Sequence, residues 1–375
     1  MNIIIAPDSF KGTLSAKEAA EAIATGIKEV YPEVNTILLP IADGGEGTMD
    51  SLVSATKGKF VTRAVHDPLG RMIEARYGVL GDGETCVIEV AEASGLMLLI
   101  KEERNPLVTT TYGTGELIRF ALDDGFRKFI IGLGGSATND AGTGMLKALG
   151  MKFYDHSGNE LKQGGGYLHA LAHIDMTNFD HRIQESTFII ASDVKNPFVG
   201  ENGASKVFGP QKGATTEMVE HLDYSLSHFA DIVKSKTGIS LHHQEGAGAA
   251  GGIGGALLAF FPAKIKEGIR VVLDAISFEQ YAKDADLIIT GEGKTDEQTL
   301  LGKAPFGIST VARKHKKPVI LISGIVDFKD NEWNNYFTEV HSVVDEHISE
   351  EHALTNPFAS LKRKTKQVIQ HYLYS

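Results

Sequence analysis

Short runs of apolar, mostly β-branched residues recur along this chain, and most are followed by a loop rich in glycine or acidic residues and then by a helical pattern. This order is typical of parallel βα units. Near the start, Ser15 and Glu18 have the spacing of a capping box and predict where the first helix begins. The predicted strands of this kind lie at 2–6, 36–40, 129–132, 187–191, 286–290 and 318–323.

Between residues 57 and 106 the pattern changes to alternating apolar and polar positions, which indicates antiparallel strands. The tripeptide Gly81-Asp82-Gly83 predicts a tight turn between the second and the third of them. The predicted strands lie at 60–65, 72–80 and 85–91.

Strand–loop–helix units therefore lie at both ends of the chain and flank a mixed middle. We predict an α/β protein of two domains, in which both chain ends build one parallel-sheet domain and the middle is inserted as a mixed-sheet domain. The predicted ranges are 1–65 plus 271–375 for the first domain and 66–270 for the second. No linker rich in proline or serine marks the boundaries, so each is placed to within about 20 residues.

Composition narrows the class of function. The chain has 375 residues, with 37 Lys and Arg against 48 Asp and Glu, and the resulting charge of −11 argues against a nucleic-acid binder. The single cysteine, Cys86, excludes an internal disulfide and a cysteine-based zinc site. No secretory signal pattern and no membrane-spanning apolar stretch are present, so we expect a cytoplasmic enzyme without a membrane partner. Whether copies associate, for instance as a homodimer, is open.

Aspartates follow several of the predicted strands. In open α/β sheets ligands bind beyond the carboxyl ends of the strands, which is where these side chains are expected. Each of them alone is equally typical of a helix cap or a turn, so it is their shared position that points to a site. They are Asp8, Asp43, Asp140, Asp193 and Asp296.

The glycine-rich loop 132–140 fits a cradle for phosphate groups. Glycine lets backbone N–H groups approach an anion closely, and the dipole at a helix N-terminus favours negative charge. A close-packed turn between strand and helix is the alternative interpretation. Lys212 supplies a cation suited to a nucleotide, but an ordinary turn at 209–213 explains it equally well.

Two standard nucleotide-binding motifs are only partly matched. Gly293-Lys294-Thr295 resembles the end of a P-loop, but Ile288 stands where that motif requires glycine. The segment 246–251 matches the dinucleotide pattern GxGxxG, yet no strand precedes it, so tight packing of a glycine-rich helix is the preferred interpretation. An NAD(P)-dependent oxidoreductase of a small hydroxy acid is the alternative function. The inventory of carboxylates, lysines and glycine loops favours Mg²⁺-dependent phosphoryl transfer.

Ordered motifs along essentially the whole chain resemble those of the bacterial glycerate kinase family, in the group sometimes called type I. The resemblance implies ATP-dependent phosphorylation of D-glycerate at its 2- or 3-hydroxyl. It also implies two α/β domains, one flavodoxin-like and one with a restriction-enzyme-like sheet. The motifs are APDSFKG (6–12), PIADGGEGT (40–48), DPLGR (67–71), YGTGELI (112–118), GLGGSATND (132–140), SDVKNP (192–197), FGPQKGA (208–214) and TGEGKTD (290–296).

With this resemblance we assign roles to motif residues as hypotheses. The expected ATP-binding residues are Gly134, Gly135, Ser136, Asn139, Lys212, Gly291 and Glu292. The expected glycerate-binding residues are Asp8, Ser9, Lys11, Asp43, Glu46 and Arg71. Mg²⁺ is assigned to Asp140 and Asp43. The expected catalytic residues are Asp193 as first candidate for the general base, Asp296 as second, and Lys11.

Overall fold

The computed structural model describes residues 1–10, 12–42, 47–327 and 331–374. Three residues with predicted roles, Lys11, Asp43 and Glu46, lie outside these ranges. Among the described residues, no helix combines the length and the apolar character that crossing a membrane requires.

The regular elements alternate between strands and helices along most of the chain. The strands are β1 (Asn2–Ile5), β2 (Asn35–Leu38), β3 (Lys59–His66), β4 (Met72–Val79), β5 (Thr85–Glu89), β6 (Lys128–Gly132), β7 (Lys152–Tyr154), β8 (His173–Asp175), β9 (Thr187–Ala191), β10 (Ala263–Lys266), β11 (Leu287–Thr290), β12 (Lys294–Thr295), β13 (Val319–Ser323), β14 (Ile325–Val326) and β15 (Glu339–Ser342). The α-helices are α1 (Ala16–Lys28), α2 (Thr48–Thr56), α3 (Ala91–Ser94), α4 (Tyr112–Asp123), α5 (Thr143–Ala148), α6 (Ala204–Phe208), α7 (Thr216–Thr237), α8 (Ala249–Phe260), α9 (Gly268–Ala275), α10 (Phe278–Asp284), α11 (Ala304–Lys314), α12 (Glu350–Thr355) and α13 (Pro357–Tyr374).

The first compact unit consists of Met1–Asp43, Asp50–Lys57 and Glu267–Ser375. Its main sheet is parallel, with the strand order β2-β1-β11-β13-β15. Counted along the strands of this unit, that is the order of the flavodoxin-like fold, so this part of the expected fold class is confirmed. The central strands are buried on both faces, which explains their continuous apolar runs.

Helices α1 and α13 pack against each other in the first unit. The predicted capping box begins α1, since Ser15 Oγ accepts from the Glu18 N–H and Glu18 accepts from the Ser15 N–H. Near the end of α1, Glu29 receives the ammonium groups of Lys362 and Lys366. Two lysines of α13 therefore form ion pairs with α1 within this unit.

The second unit consists of Gly44–Met49 and Gly58–Lys266. Its main sheet has the order β10-β9-β6-β5-β4-β3 and is mixed, as predicted. The pairs β3–β4 and β4–β5 are antiparallel, whereas the pairs β5–β6, β6–β9 and β9–β10 are parallel.

The second unit begins at Gly58, apart from Gly44–Met49, and ends at Lys266, and the predicted domain boundaries near 65 and 270 stay predictions. Strand β3 pairs with β4 along its whole length, from Lys59 opposite Val79 to His66 opposite Met72, and so belongs to the second unit. The predicted boundary at 65 assigned most of this strand to the first domain. An alternating pattern identifies a strand but not its partner strand. The sequence alone therefore did not show whether β3 belongs to the first or the second unit.

The glycine-rich start of α8 packs closely against the loop that follows β6. Ala250, Gly251 and Gly252 have positive φ values of 52°, 67° and 95°. A Cβ atom on Gly251 would lie 2.1 Å from the carbonyl oxygen of Thr138. The segment does not follow a strand directly, so the GxGxxG match lacks the βα turn that gives it meaning, and tight packing accounts for these glycines.

We expect Gly251→Ala to destabilise the protein more than Gly238→Ala does. Gly238, at the C-terminus of α7, has a φ of +81° but open space around its Cβ position, so alanine there adds only left-handed strain of about 1 kcal/mol. Gly251 combines a φ of +67° with the clash against Thr138, so the loss in free energy of unfolding should reach about 3 kcal/mol. Urea unfolding of both variants measures the difference, and equal losses would contradict the packing argument.

Candidate active site

The predicted site residues within the described ranges fall into two groups, one in each unit. The first unit contains Asp8, Ser9, Gly291, Glu292 and Asp296. The second unit contains Arg71, Gly134, Gly135, Ser136, Asn139, Asp140, Asp193 and Lys212.

In the first unit, the loops after β1 and β11 meet at the carboxyl edge of the parallel sheet. The Asp8 N–H donates to the Gly291 carbonyl at 2.8 Å, and the Asp8 carboxylate accepts from the Ser9 N–H at 2.6 Å. Asp8, Ser9 and Glu292 line a cavity of about 310 Å³. The structure therefore brings together residues that lie at opposite ends of the chain.

Glu292 is nearly buried at this cavity, with 5% of its surface exposed. Its Oε1 accepts hydrogen bonds from the hydroxyls of Thr295, at 2.9 Å, and Thr299, at 2.6 Å. Burial raises the pKa of Glu292, and the two hydroxyls act in the opposite direction because they stabilise the ionised form. A buried carboxyl with a shifted pKa beside a cavity is a typical feature of a functional site.

Asp296 is half-buried and has a lysine beside it. Its Oδ1 lies 3.8 Å from Lys303 Nζ, and Lys303 also lines the cavity. Lys303 precedes helix α11 and was missed by the sequence analysis, although the Gly-Lys pair at 302–303 closely follows the motif 290–296. Lys294, another residue of the cavity wall, lies 3.0 Å from Asp327, and this contact raises the pKa of Lys294.

In the second unit, Lys212 is a buried brace of the glycine-rich loop. Only 2% of its surface is exposed, and its Nζ donates to Ser136 Oγ at 2.8 Å and to the Thr138 carbonyl at 2.7 Å. Burial lowers the pKa of Lys212 to about 7, and the neighbouring Asp140 acts in the opposite direction. Lys212 thus contacts the glycine-rich loop from a buried position, and its contact with a nucleotide stays a prediction.

Asp140 is fully buried at the other end of the same loop. Its Oδ2 accepts from the Thr111 N–H, the Thr111 hydroxyl and the Gly144 N–H, at 2.9–3.1 Å, and its Oδ1 accepts from the Gly142 N–H at 3.1 Å. Burial raises the pKa of Asp140, and these donors oppose that shift. With both oxygens engaged in this way, Asp140 is better suited to hold the loop than to bind Mg²⁺.

Over the described part of the chain, no group of three or more His, Cys, Asp or Glu side chains is placed to hold a metal ion. Magnesium in nucleotide enzymes is often held by one or two carboxylates together with substrate phosphates, so such a cluster is not required. The other predicted ligand, Asp43, lies outside the described residues. Magnesium binding therefore stays a prediction.

Two polar atoms of the loop are buried without a partner. Among the described residues, neither Thr138 Oγ1 nor Asn139 Oδ1 has a hydrogen-bond partner, although Asn139 donates through Nδ2 to Ser205 Oγ at 2.7 Å. Unsatisfied buried polar atoms are rare and indicate water, an ion or a functional role. Gly134 and Gly135 are the parts of the loop most open to solvent, and Gly135 has a φ of +69°.

Asp193 lies at the same edge of the sheet as this loop. Strands β6 and β9 are parallel neighbours in which Gly132 pairs with Ala191, so Gly134 and Asp193 each follow the strand end by two residues. The side chain of Asp193 is exposed. The structure thus brings together a glycine loop and an accessible carboxylate.

Arg71 is half-exposed, and two carboxylates hold its guanidinium group. Nε donates to Asp67 at 2.6 Å, and Nη1 donates to Glu103 at 2.7 Å. These two hydrogen bonds raise the pKa of Arg71. Since its charge is largely balanced, Arg71 offers less attraction to a substrate carboxylate than its motif suggested.

Glu89 is a further residue that the sequence analysis missed. It is buried at the end of β5, and its carboxylate accepts from the Met49 N–H at 2.8 Å, at the start of α2. An acidic residue closing an otherwise apolar strand was the available signal. Glu89 therefore fixes the end of the motif 40–48.

The pKa of Lys212 predicts how stability depends on pH. Between about pH 7 and the ordinary value of 10.5, the folded protein binds fewer protons at this site than the unfolded chain. The contribution of Lys212 to stability should therefore rise with pH in this window, by up to about 1.4 kcal/mol per pH unit, and stay flat below it.

Urea unfolding of the wild type and Lys212→Met at several pH values tests this. The free energy of unfolding of the wild type minus that of Lys212→Met should increase from about pH 7 to about pH 9. Lys195→Met, at an exposed lysine, should show no such trend. A difference for Lys212→Met that is constant or falls with pH would contradict the pKa shift.

Comparisons with known proteins agree with this architecture and these motifs. A family model described as "Glycerate kinase family" matches residues 3–373. The chain is 52% identical over 331 residues to a glycerate kinase of Bacillus subtilis (strain 168), covering 88% of this chain and 87% of that protein. It is 49% identical over 324 residues to the glycerate 2-kinase of Escherichia coli (strain K12), covering 86% and 85%.

A solved structure agrees as well. A crystal structure assigned to glycerate kinase 2 from Salmonella typhimurium LT2 has a TM-score of 0.91 and 44% sequence identity, and the match covers 100% of this chain and 98% of that one. The family match and the relatives each span most of the chain. This protein belongs to the glycerate kinase family.

Proposed function

We propose that this protein is a glycerate kinase that transfers the terminal phosphoryl group of ATP to a hydroxyl of D-glycerate, giving phosphoglycerate and ADP. The observation that carries the proposal is the identity of 52% and 49%, over most of the chain, with proteins named glycerate kinase and glycerate 2-kinase. Membership of the type I group and a cytoplasmic location are parts of the same proposal.

The backbone of Gly134, which is half-buried, and of Gly135, which is exposed, is our candidate for contact with the ATP phosphates. Phosphoryl transfer depends mainly on positioning and charge neutralisation, and backbone N–H groups in a glycine loop provide both. Lys212 and Asp140 are too deeply buried to meet ATP without rearrangement, so we assign them to holding the loop. Mg²⁺, when bound, would neutralise charge on the phosphates.

Asp193 remains the first candidate for the general base. Its exposed carboxylate follows the strand next to the one that leads into the glycine loop, so a hydroxyl held near the phosphates would be close to it. The base would take the hydroxyl proton as the oxygen attacks phosphorus. Asp296, the second candidate, lies 3.8 Å from the ammonium group of Lys303.

We expect the purified protein to release ADP from Mg-ATP only when D-glycerate is present. Coupling the product to enolase, with and without phosphoglycerate mutase, identifies the position of the phosphate. Turnover without mutase assigns 2-phosphoglycerate, and a requirement for mutase assigns 3-phosphoglycerate. The absence of glycerate-dependent ADP release from folded protein would reject the proposed function.

We expect Asp193→Asn to lower kcat by about 10²–10⁴-fold, because the amide does not accept the proton in the transition state. The KM for ATP should change little. Asp296→Asn is the matched control, with the same change in charge and a smaller expected loss. Near-native turnover of Asp193→Asn, with a large loss in Asp296→Asn, would transfer the role of base to Asp296.

A further inference from the structure

The cavity of about 310 Å³ lies entirely within the first unit. Its wall includes residues that follow β1, β11, β13 and β15, at the carboxyl edge of the parallel sheet. This edge is where open α/β sheets bind their ligands. Helices α12 and α13 complete the wall with Leu354, Pro357 and Leu361.

The lining has two chemically different parts. Phe10, Ile325, Val343, Leu354 and Leu361 are among its apolar side chains. Leu354 is 57% exposed, so its side chain is accessible to a ligand in the cavity.

The polar part holds carboxylates and lysines. The lining contains the carboxylates Asp8, Glu292 and Glu350 and the cations Lys294 and Lys303. Both hydroxyl donors of Glu292 act on Oε1, and among the described residues no hydrogen bond reaches Oε2. The cavity thus offers an apolar wall and an acceptor for a ligand hydroxyl.

The volume and the lining of the cavity indicate which part of the two proposed substrates, glycerate and ATP, it fits. Cavities of about 300–1,000 Å³ with mainly apolar walls suit ligands larger than glycerate, which is small and polar throughout. A triphosphate would meet more carboxylates than lysines among the described lining residues. A nucleoside has a flat, weakly polar base and a ribose with two free hydroxyls, which match the two parts of the lining.

We propose that this cavity binds the nucleoside part of ATP, with the base against the wall that contains Leu354 and Leu361 and a ribose hydroxyl donating to Glu292 Oε2. The proposal rests on the proposed kinase function, since that function supplies ATP as the ligand. It assigns to the C-terminal helices α12 and α13 a role in nucleotide recognition.

Binding of adenosine to the full-length protein, measured by isothermal titration calorimetry, tests the site without turnover. We expect adenosine to bind the wild type, and Leu354→Asp to weaken that binding at least tenfold. Phe358→Asp is the matched control, because Phe358 is also an exposed apolar residue of this region, 38% exposed, and does not line the described cavity. It should bind adenosine like the wild type.

The ribose contact has its own test. The wild type should bind 2′,3′-dideoxyadenosine at least fivefold more weakly than adenosine, and Glu292→Gln should reduce this preference. Thermal unfolding of each variant shows whether it is folded. An unchanged preference in folded Glu292→Gln would overturn the assignment of Glu292.

Steady-state kinetics separate this inference from the proposed function. Leu354→Asp should raise the KM for ATP at least tenfold and leave the KM for glycerate unchanged, and a rise in the KM for glycerate alone would overturn the nucleoside assignment.

Glycerate-dependent ADP release with no adenosine binding, or with equal binding by Leu354→Asp, would reject the cavity as the nucleoside site but keep the kinase. Adenosine binding that depends on Leu354, without glycerate-dependent ADP release, would keep the site but reject the kinase.

Discussion

The buried carboxylate of Asp140 is the contact on which the glycine-rich loop depends. It joins the loop after β6 to the starts of α4 and α5, because its donors come from Thr111, Gly142 and Gly144. A buried charge is costly unless nearby groups satisfy it, and here backbone N–H groups at two helix starts do so. Lys212 holds the same loop through hydrogen bonds to Ser136 and Thr138.

Close backbone contacts explain much of the glycine content of the second unit. A Cβ on Gly144 would lie 2.2 Å from Thr110 Oγ1, and one on Gly115 would lie 2.3 Å from the Met145 carbonyl oxygen. These contacts allow α4 and α5 to approach each other as the carboxylate of Asp140 requires. Glycine thus shapes the loop largely through packing, while Gly134 and Gly135 keep their backbone open to solvent.

Local features of the fold and the parallel sheet built from both chain ends followed from the sequence, whereas several long-range side-chain contacts did not. The capping box of Ser15 and Glu18 and the strand 187–191 depend on neighbouring residues and were predicted at their observed positions. Lys212 donates to Ser136, which is 76 positions away, so no local pattern could predict this buried contact. The cavity wall formed by α12 and α13 was missed for the same reason. It lines one cavity together with Asp8, which is more than 300 positions earlier, and with the loop after β11.

The central strand of the first unit has a consequence for the order of folding during synthesis. Strand β1 leaves the ribosome long before its partner β11, as the hydrogen bond between Thr290 and Ala6, 284 positions apart, illustrates. The second unit is almost continuous in sequence and is complete before β11 is made. Strand β1 can pair early with β2, but its other edge stays without β11 until the inserted unit has been synthesised, and such an unpaired strand edge is prone to aggregation in the nascent chain.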